Sequence, residues 1–270
     1  MYIVFDIGGT HIRVAVSSDG ETLSKPLTKD TPASFDEGVR VLVALIAEAA
    51  NGQPIISLGG GVAGIFDPKD QALFYSPNLK GWEGHSIKQA LQKEGYNALI
   101  ENDAALAALG EASYGAGRGG KIVAYYTIST GIGGARIVDG KIDRRSVGFE
   151  PGKQIINSAG PSSVETMISG HALQAKYNMK PALILDKEVW KKAADDLAIA
   201  AFNSIAHWSP DTFVFGGPMI LQKPGIDIDA VRAALEKLLV AFPAHPSVKL
   251  AELGTESGLY GALRTIVQIR

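Results

Sequence analysis

YIVFDIGGTHIRVAVSSDG, residues 2–20, runs through a strand, a glycine turn, a second strand and an Asp-Gly turn, and IVAYYTISTGIGGARIVDG, residues 122–140, repeats that order. Tyr2–Phe5 and Ile12–Val16 have the apolar composition of buried strands, as do Ile122–Ile128 and the strand that reaches Val138. The recurrence predicts two halves of like architecture, each presenting a hairpin tip to a shared cleft. At such a tip, glycines let successive backbone N–H groups converge on phosphate oxygens, and the Thr10 hydroxyl adds a donor. The Asp6 carboxylate would repel a phosphate unless a cation lay between them. Mg2+ is usually held in that way, by one or two carboxylates, phosphates and waters. A plain turn, which Asp and Gly favour on their own account, is the competing reading of either tip taken singly.

The chemistry centres on ALIENDAALAALGEASYGAG, residues 98–117. Ala98–Ile100 reads as a short strand and the alanine-rich run after it as a helix that stops at Gly115 and Gly117. Asp103 stands where the strand ends and the helix begins. Two roles suit a carboxylate there: a cap on the N–H groups of the first helical turn, or a general base that takes a proton from a substrate hydroxyl.

The chain has 270 residues, 46% hydrophobic and 20% charged, which describes a globular protein large enough for two modest lobes or one large domain. A formal charge of −2 and the lack of any Lys/Arg-rich run argue against nucleic acid and anionic membranes as partners, leaving a small molecule as the expected ligand. No window approaches 18 apolar residues and residues 1–10 do not resemble a secretory leader, so a cytoplasmic location is expected. With no cysteine, disulfides and thiolate metal sites are excluded.

Between the two repeats, Ser34–Glu37 reads as a capping box opening a helix through Ala50. Ile55–Leu58 reads as a strand entering the turn GGGVAG, residues 59–64. That turn matches the dinucleotide pattern but leads to Pro68 and a hairpin instead of a helix. SPNLKGWEGHS, residues 76–86, is a loop in which Asn78 offers a donor and an acceptor suited to a sugar hydroxyl; a surface loop plugged by Trp82 is the alternative. GAGRGGK, residues 115–121, mimics a P-loop but leaves a helix and enters a strand, the reverse of the required order. Glu150 lies in the loop GFEPGK, residues 148–153. Glu165 completes a Ser162-x-x-Glu capping box, so a structural and a ligand-binding reading both stand. Helices are expected over about 187–208 and 229–242, on either side of a strand ending in Gly216-Gly217, where a flat base could approach the backbone. Lys249–Glu252 is strand-like, and residues 257–269 form an apolar helix that could return to the first lobe.

DIGGTHIR, PNLKGW, ENDAALAALGE, TGIGG, GFEPG and FGG, in this order over nearly the whole chain, resemble the ROK family of sugar kinases. The resemblance implies an α/β, two-lobed actin-like ATPase (ribonuclease H-like) fold, each lobe a mixed sheet with flanking helices. Residues 1–104 plus 253–270 would form the small lobe and 105–252 the larger one. It implies an ATP-dependent kinase that phosphorylates a hexose or N-acylhexosamine, glucose foremost, at the 6-hydroxyl, with Asp103 as general base. Asp6 would assist Mg2+ through water; Gly8, Gly9, Thr10, Thr130 and Gly131 would line the ATP phosphates; Gly216 and Gly217 would lie by the adenosine. Asn78, Asn102, Asp103, Glu150, Lys153 and Glu165 would contact the sugar, and a homodimer is implied. Many members have histidine where this chain has Lys153, bound to a structural zinc completed by three cysteines. Zinc is therefore not expected here. Lys153 can donate to a hydroxyl but cannot accept from one as a neutral imidazole can, and that departure motivates the alternative of a non-catalytic sugar-binding protein on the same fold. Members that regulate transcription carry a DNA-binding module before the first hairpin, whereas this hairpin begins at Tyr2.

Overall fold

The structure is a computed structural model describing residues 1–69, 71–143, 145–160 and 162–268. The chain forms two units, one of Met1–Gly110, Arg144–Gly148 and Glu256–Arg270, the other of Glu111–Asp143 and Phe149–Thr255.

The first unit contains β1 (Tyr2–Ile7), β2 (His11–Ser17), β3 (Leu27–Asp30), α1 (Phe35–Ala50), β4 (Ser57–Val62), β5 (Ile65–Phe66), β6 (Leu73–Tyr75), α2 (Ile87–Lys93) and β7 (Ala98–Asn102). It also holds the start of α3 (Asp103–Tyr114). Its sheet runs β3-β2-β1-β4-β7, antiparallel over the first three strands and parallel from β1 to β7. Ile3, Phe5 and Ile7 alternate onto the face that packs against Leu42, Leu45 and Ile46 of α1. That face also buries Trp82, whose indole N–H donates to Pro32 C=O at 3.0 Å. Trp82 is thus the plug of its loop.

The second unit contains β8 (Ile122–Ile128), β9 (Ile132–Val138), β10 (Lys141–Ile142), β11 (Ile155–Asn157), β12 (Ser162–Ser163), α4 (Val164–Ile168), α5 (Gly170–Tyr177), α6 (Lys187–Trp208), β13 (Thr212–Gly216), α7 (Pro218–Leu221), α8 (Ile228–Leu238) and β14 (Ser247–Leu250). Its main sheet, β10-β9-β8-β13-β14, repeats the pattern of the first: two antiparallel neighbours on one side of the central strand and two parallel on the other. The predicted likeness of the halves is therefore present at the level of strand order. Asp139 and Gly140 both have positive φ, 49° and 70°, the conformation that closes a two-residue hairpin between β9 and β10. At the centre of this unit's core Tyr126 packs edge to face against Phe213 and Phe215, whose rings stack on each other. The chain ends in α9 (Ser257–Gln268), which belongs to the first unit, where Ile266 meets Gly59 on β4.

Glu111 is fully buried in the second unit. Its Oε2 accepts from the N–H groups of Ala116 at 3.0 Å and Glu252 at 3.1 Å, and its Oε1 from that of Leu253 at 2.9 Å. One side chain thereby satisfies three backbone donors from segments far apart in sequence.

Four local expectations are corrected. Residues 59–62 are strand, not turn: β4 starts at Ser57 and carries the glycine run through Val62. The cause is packing, because a Cβ on Gly60 would stand 2.3 Å from both the carbonyl oxygen and the ring of Phe5 on the adjacent strand. The last strand is Ser247–Leu250, displaced two residues toward the N-terminus from the expected Lys249–Glu252. Ser34 occupies the N-cap of α1 but its side chain makes no cap hydrogen bond. Ser163, not Ser162, caps α4, accepting from Thr166 N–H, so Glu165 is not the third residue of a capping box. Among the described residues no helix is long and apolar enough to cross a membrane.

Candidate functional site

The parallel strands β1, β4 and β7 end at one edge of the first sheet, where Ile7 pairs with Val62 and Val62 with Asn102. In α/β sheets this carboxyl-end edge is where ligands bind. The turn Gly8-Gly9-Thr10 leaves β1 here. Thr31 ties it back, its hydroxyl donating to Gly8 C=O at 2.7 Å and its N–H to Thr10 C=O at 2.9 Å. Asn78 abuts the turn, since a Cβ on Gly9 would stand 2.5 Å from Asn78 Cβ. A cavity of about 350 Å3 opens beside them, lined by Gly9, Thr31, Asn78 and Trp82 among others.

At the β7–α3 corner the structure separates two roles that the sequence left together. Asn102 Oδ1 accepts from Ala105 N–H at 2.9 Å, so Asn102 caps the helix. Asn102 Nδ2 also donates to Gly64 C=O at 2.9 Å, fixing the corner to the loop after β4. Asp103 follows as the first helical residue, its Cα 3.3 Å from where a Cβ on Gly61 would stand, and Gly61 pairs with Asp6 on β1. Asp6, Gly8, Gly9, Thr10, Asn78, Asn102 and Asp103 therefore gather at one edge. Glu101 is held by Arg145, Nη2 to Oε1 at 2.5 Å, and Glu101 Oε1 also accepts from Asn102 N–H at 2.6 Å.

In the second unit, β8 ends in Ser129-Thr130-Gly131, while β13 ends in Gly216 next to Gly217. The strands are neighbours, and a Cβ on Gly217 would stand 2.3 Å from Ile128 C=O. Gly217 has φ 87° as well, so both space and backbone conformation require glycine there. Glu165 reaches the turn directly: its Oε2 accepts from Ile132 N–H at 2.9 Å, and its Oε1 pairs with Lys153 Nζ. Lys153 N–H donates to Glu150 C=O at 3.0 Å, and Tyr126 Oη, in the core, accepts from Gln154 Nε2 at 2.7 Å and steadies the loop just beyond. Thr130, Gly131, Glu150, Lys153 and Glu165 form a second group, with Gly216 and Gly217 at the end of the neighbouring strand. A cavity of about 390 Å3 among α4, α5 and α6 contains none of these residues.

Burial pushes the Glu150 carboxyl above its ordinary range; Lys153 draws it down and Glu165 adds to the rise. The folded state then holds this proton more tightly than the unfolded chain does, so ionisation of Glu150 opposes folding as pH rises above its unfolded value. Glu150→Gln is accordingly expected to raise the melting temperature, with a gain at pH 8 that exceeds the gain at pH 4. Equal shifts at the two pH values would contradict the burial account.

The metal ions implied by the family resemblance differ in fit. Asp6 is a single, mostly buried carboxylate whose Oδ2 is held by Arg13, which suits an ion completed by phosphates and water. Zinc does not fit the segment after Lys153. The chain has no cysteine, Lys153 is committed to Glu165, and the antiparallel pair β11–β12 closes the segment. Among the described residues no group of three or more His, Cys, Asp or Glu is placed to hold a metal ion. Dialysis against a chelator is expected to leave the melting temperature unchanged, and a fall of several degrees with release of stoichiometric zinc would overturn this assignment.

Sequence reasoning missed Arg13, Thr31, Arg145 and the segment Ser169–His171, whose Gly170 and His171 N–H groups donate to the carbonyls of Ser129 and Thr130. Arg13 had a usable signal, since a hairpin closed by the Gly8–Thr10 turn pairs Asp6 with Arg13. The others act across long sequence separations and leave no local pattern.

A profile of the ROK family matches residues 2–268. A glucokinase of Streptomyces coelicolor is 24% identical, the alignment covering 95% of this chain and 94% of that protein. The crystal structure of ROK hexokinase from Thermus thermophilus superposes with a TM-score of 0.87 at 26% identity, covering 99% of this chain and 98% of that one. A ROK family glucokinase from Streptomyces griseus, solved in complex with glucose and AMPPNP, gives 0.80 at 25% identity with 99% of both chains covered. Two mixed sheets of like strand order with flanking helices, shared with these proteins, make this an actin-like ATPase fold. With residues 2–268 accounted for by one profile, the chain belongs to the ROK family.

Proposed function

We propose that the protein transfers the γ-phosphoryl group of MgATP to a hexose or N-acylhexosamine, glucose foremost, at the 6-hydroxyl. The observation that carries this reading is the arrangement at the β7–α3 corner: Asn102 Oδ1 makes the cap bond to Ala105 N–H, and Asp103 follows as the first helical residue at the edge where the Gly8–Thr10 turn and Asn78 gather. Asp103 takes the hydroxyl proton as the sugar oxygen attacks phosphorus, and that oxygen–phosphorus bond replaces the one to ADP. The N–H groups of the Gly8–Thr10 and Thr130–Gly131 turns hold phosphate oxygens, with Gly216 and Gly217 beside the adenosine. Asp6 holds Mg2+ through water; the ion supplies neutralisation of phosphate charge. Asn78, Glu150, Lys153 and Glu165 bind the sugar, as does the amide N–H of Asn102 not donated to Gly64. Relatives that are glucokinases support the choice of reaction.

Phosphorus NMR of the product formed from glucose and MgATP tests the assignment. A phosphomonoester coupled to the carbon-6 protons is expected, whereas a phosphate on any other carbon would refute the 6-hydroxyl.

A further inference from the structure

The segment from Glu165 to His171 grips the Ser129–Gly131 turn at three points. Gly170 N–H donates to Ser129 C=O at 2.8 Å and His171 N–H to Thr130 C=O at 3.1 Å, while Glu165 Oε2 accepts from Ile132 N–H at 2.9 Å. The peptides of the turn are trans, and in a trans peptide the N–H points away from the C=O it is bonded to. Drawing the carbonyls of Ser129 and Thr130 toward α5 therefore turns the N–H groups of Thr130 and Gly131 to the opposite side. Among the described residues neither of these N–H groups has a protein acceptor. Two successive donors presented together are suited to one phosphate oxygen.

This grip places a carboxylate against an anion-binding turn. A Cβ on Gly131 would stand 2.8 Å from Glu165 Oε2, so the charge lies directly behind the residues that receive the phosphate. A phosphate held by this turn would be repelled by that carboxylate unless its charge were neutralised. Lys153 Nζ sits on the other oxygen of the same carboxylate.

We propose that Glu165 and Lys153 act as a charge-compensated brace for the phosphate turn: Glu165 positions the turn through Ile132, and Lys153 cancels the charge that Glu165 brings. The inference rests on the kinase reading and deepens it, because it gives a nucleotide-side role to two residues that the family resemblance assigns to the sugar. It also accounts for a lysine in a segment where the metal of the resemblance does not fit. Toward nucleotide, in addition to any contact with the sugar, both are positioning residues that act through the turn.

Calorimetric titration with MgATP alone, without sugar, tests the brace. Lys153→Met is expected to weaken MgATP binding at least tenfold, and Lys153→Arg to stay within threefold of the native protein. In a Glu165→Gln background, where the charge to be cancelled is gone, Lys153→Met should change the affinity less than threefold. A purely structural role would not depend on that background. Hydrogen exchange adds a readout independent of binding: Glu165→Ala should speed exchange of the Ile132 amide at least tenfold, as its acceptor is lost. Lys153 is half exposed, so its variants are expected to fold, and equal melting curves would confirm it. Unchanged MgATP affinity in Lys153→Met, with a raised KM for sugar, would overturn the brace and leave the kinase standing. A native protein that binds no MgATP and phosphorylates no sugar would overturn both.

Discussion

Asp103→Asn lowers turnover at least about a hundredfold, the low end of what a positioned general base contributes, while fold and sugar affinity persist. The expectation follows from where the residue sits. Asn102 Oδ1 makes the cap bond to Ala105 N–H, so the substitution leaves that bond in place. Asparagine matches aspartate in size and can still hydrogen-bond, yet it cannot take up a proton at neutral pH. The defect should therefore appear in kcat with little change in KM for sugar, the signature of an interaction made only in the transition state. Steady-state kinetics under saturating MgATP read both quantities. A variant with native kcat would show that another group accepts the proton.

The second large effect is on stability. Glu111→Leu is expected to destabilise the fold by roughly 2–5 kcal/mol, since the buried N–H of Ala116 and the partly buried N–H groups of Glu252 and Leu253 would lose their acceptor at about 1–3 kcal/mol each, with some recovery by water at the latter two. Leucine restores apolar volume but offers Ala116, Glu252 and Leu253 nothing to bond. Set against a total of about 5–15 kcal/mol for a typical domain, such a loss is a large fraction of what holds the protein folded. Glu111→Gln keeps one acceptor oxygen and turns an NH2 toward the remaining donors, so it should fall between the two. Urea unfolding at neutral pH measures the series; a Glu111→Leu variant within about 1 kcal/mol of the native protein would contradict the accounting.

What the sequence disclosed was mostly what is local. The paired stretches 2–20 and 122–140 revealed matching halves because alternating apolar strands and glycine turns are written within a few residues of one another. The helix over 187–208 was found at its observed limits, Asp186 capping it with a bond to Glu188 N–H. Residues 59–62 show the opposite case. Three glycines read as a turn, but the neighbouring strand decided the matter, because Phe5 fills the space that a side chain on Gly60 would need. Glu165 was ambiguous for a related reason. Its nearest text suggested a capping box, whereas its actual partners are Ile132, 33 residues away, and Lys153. Asp103 was ambiguous because Asn102 and Asp103 are both good caps, and only the structure shows that the bond to Ala105 N–H comes from Asn102.

The central claim, phosphoryl transfer to a sugar, is tested most directly by ADP release from MgATP in the presence of glucose, mannose, fructose, allose, N-acetylglucosamine or N-acetylmannosamine. ADP release that depends on at least one of these sugars, with glucose the strongest candidate, and that is lost in Asp103→Asn is the predicted result. Release that is absent throughout, or that is the same with and without every sugar, would contradict it.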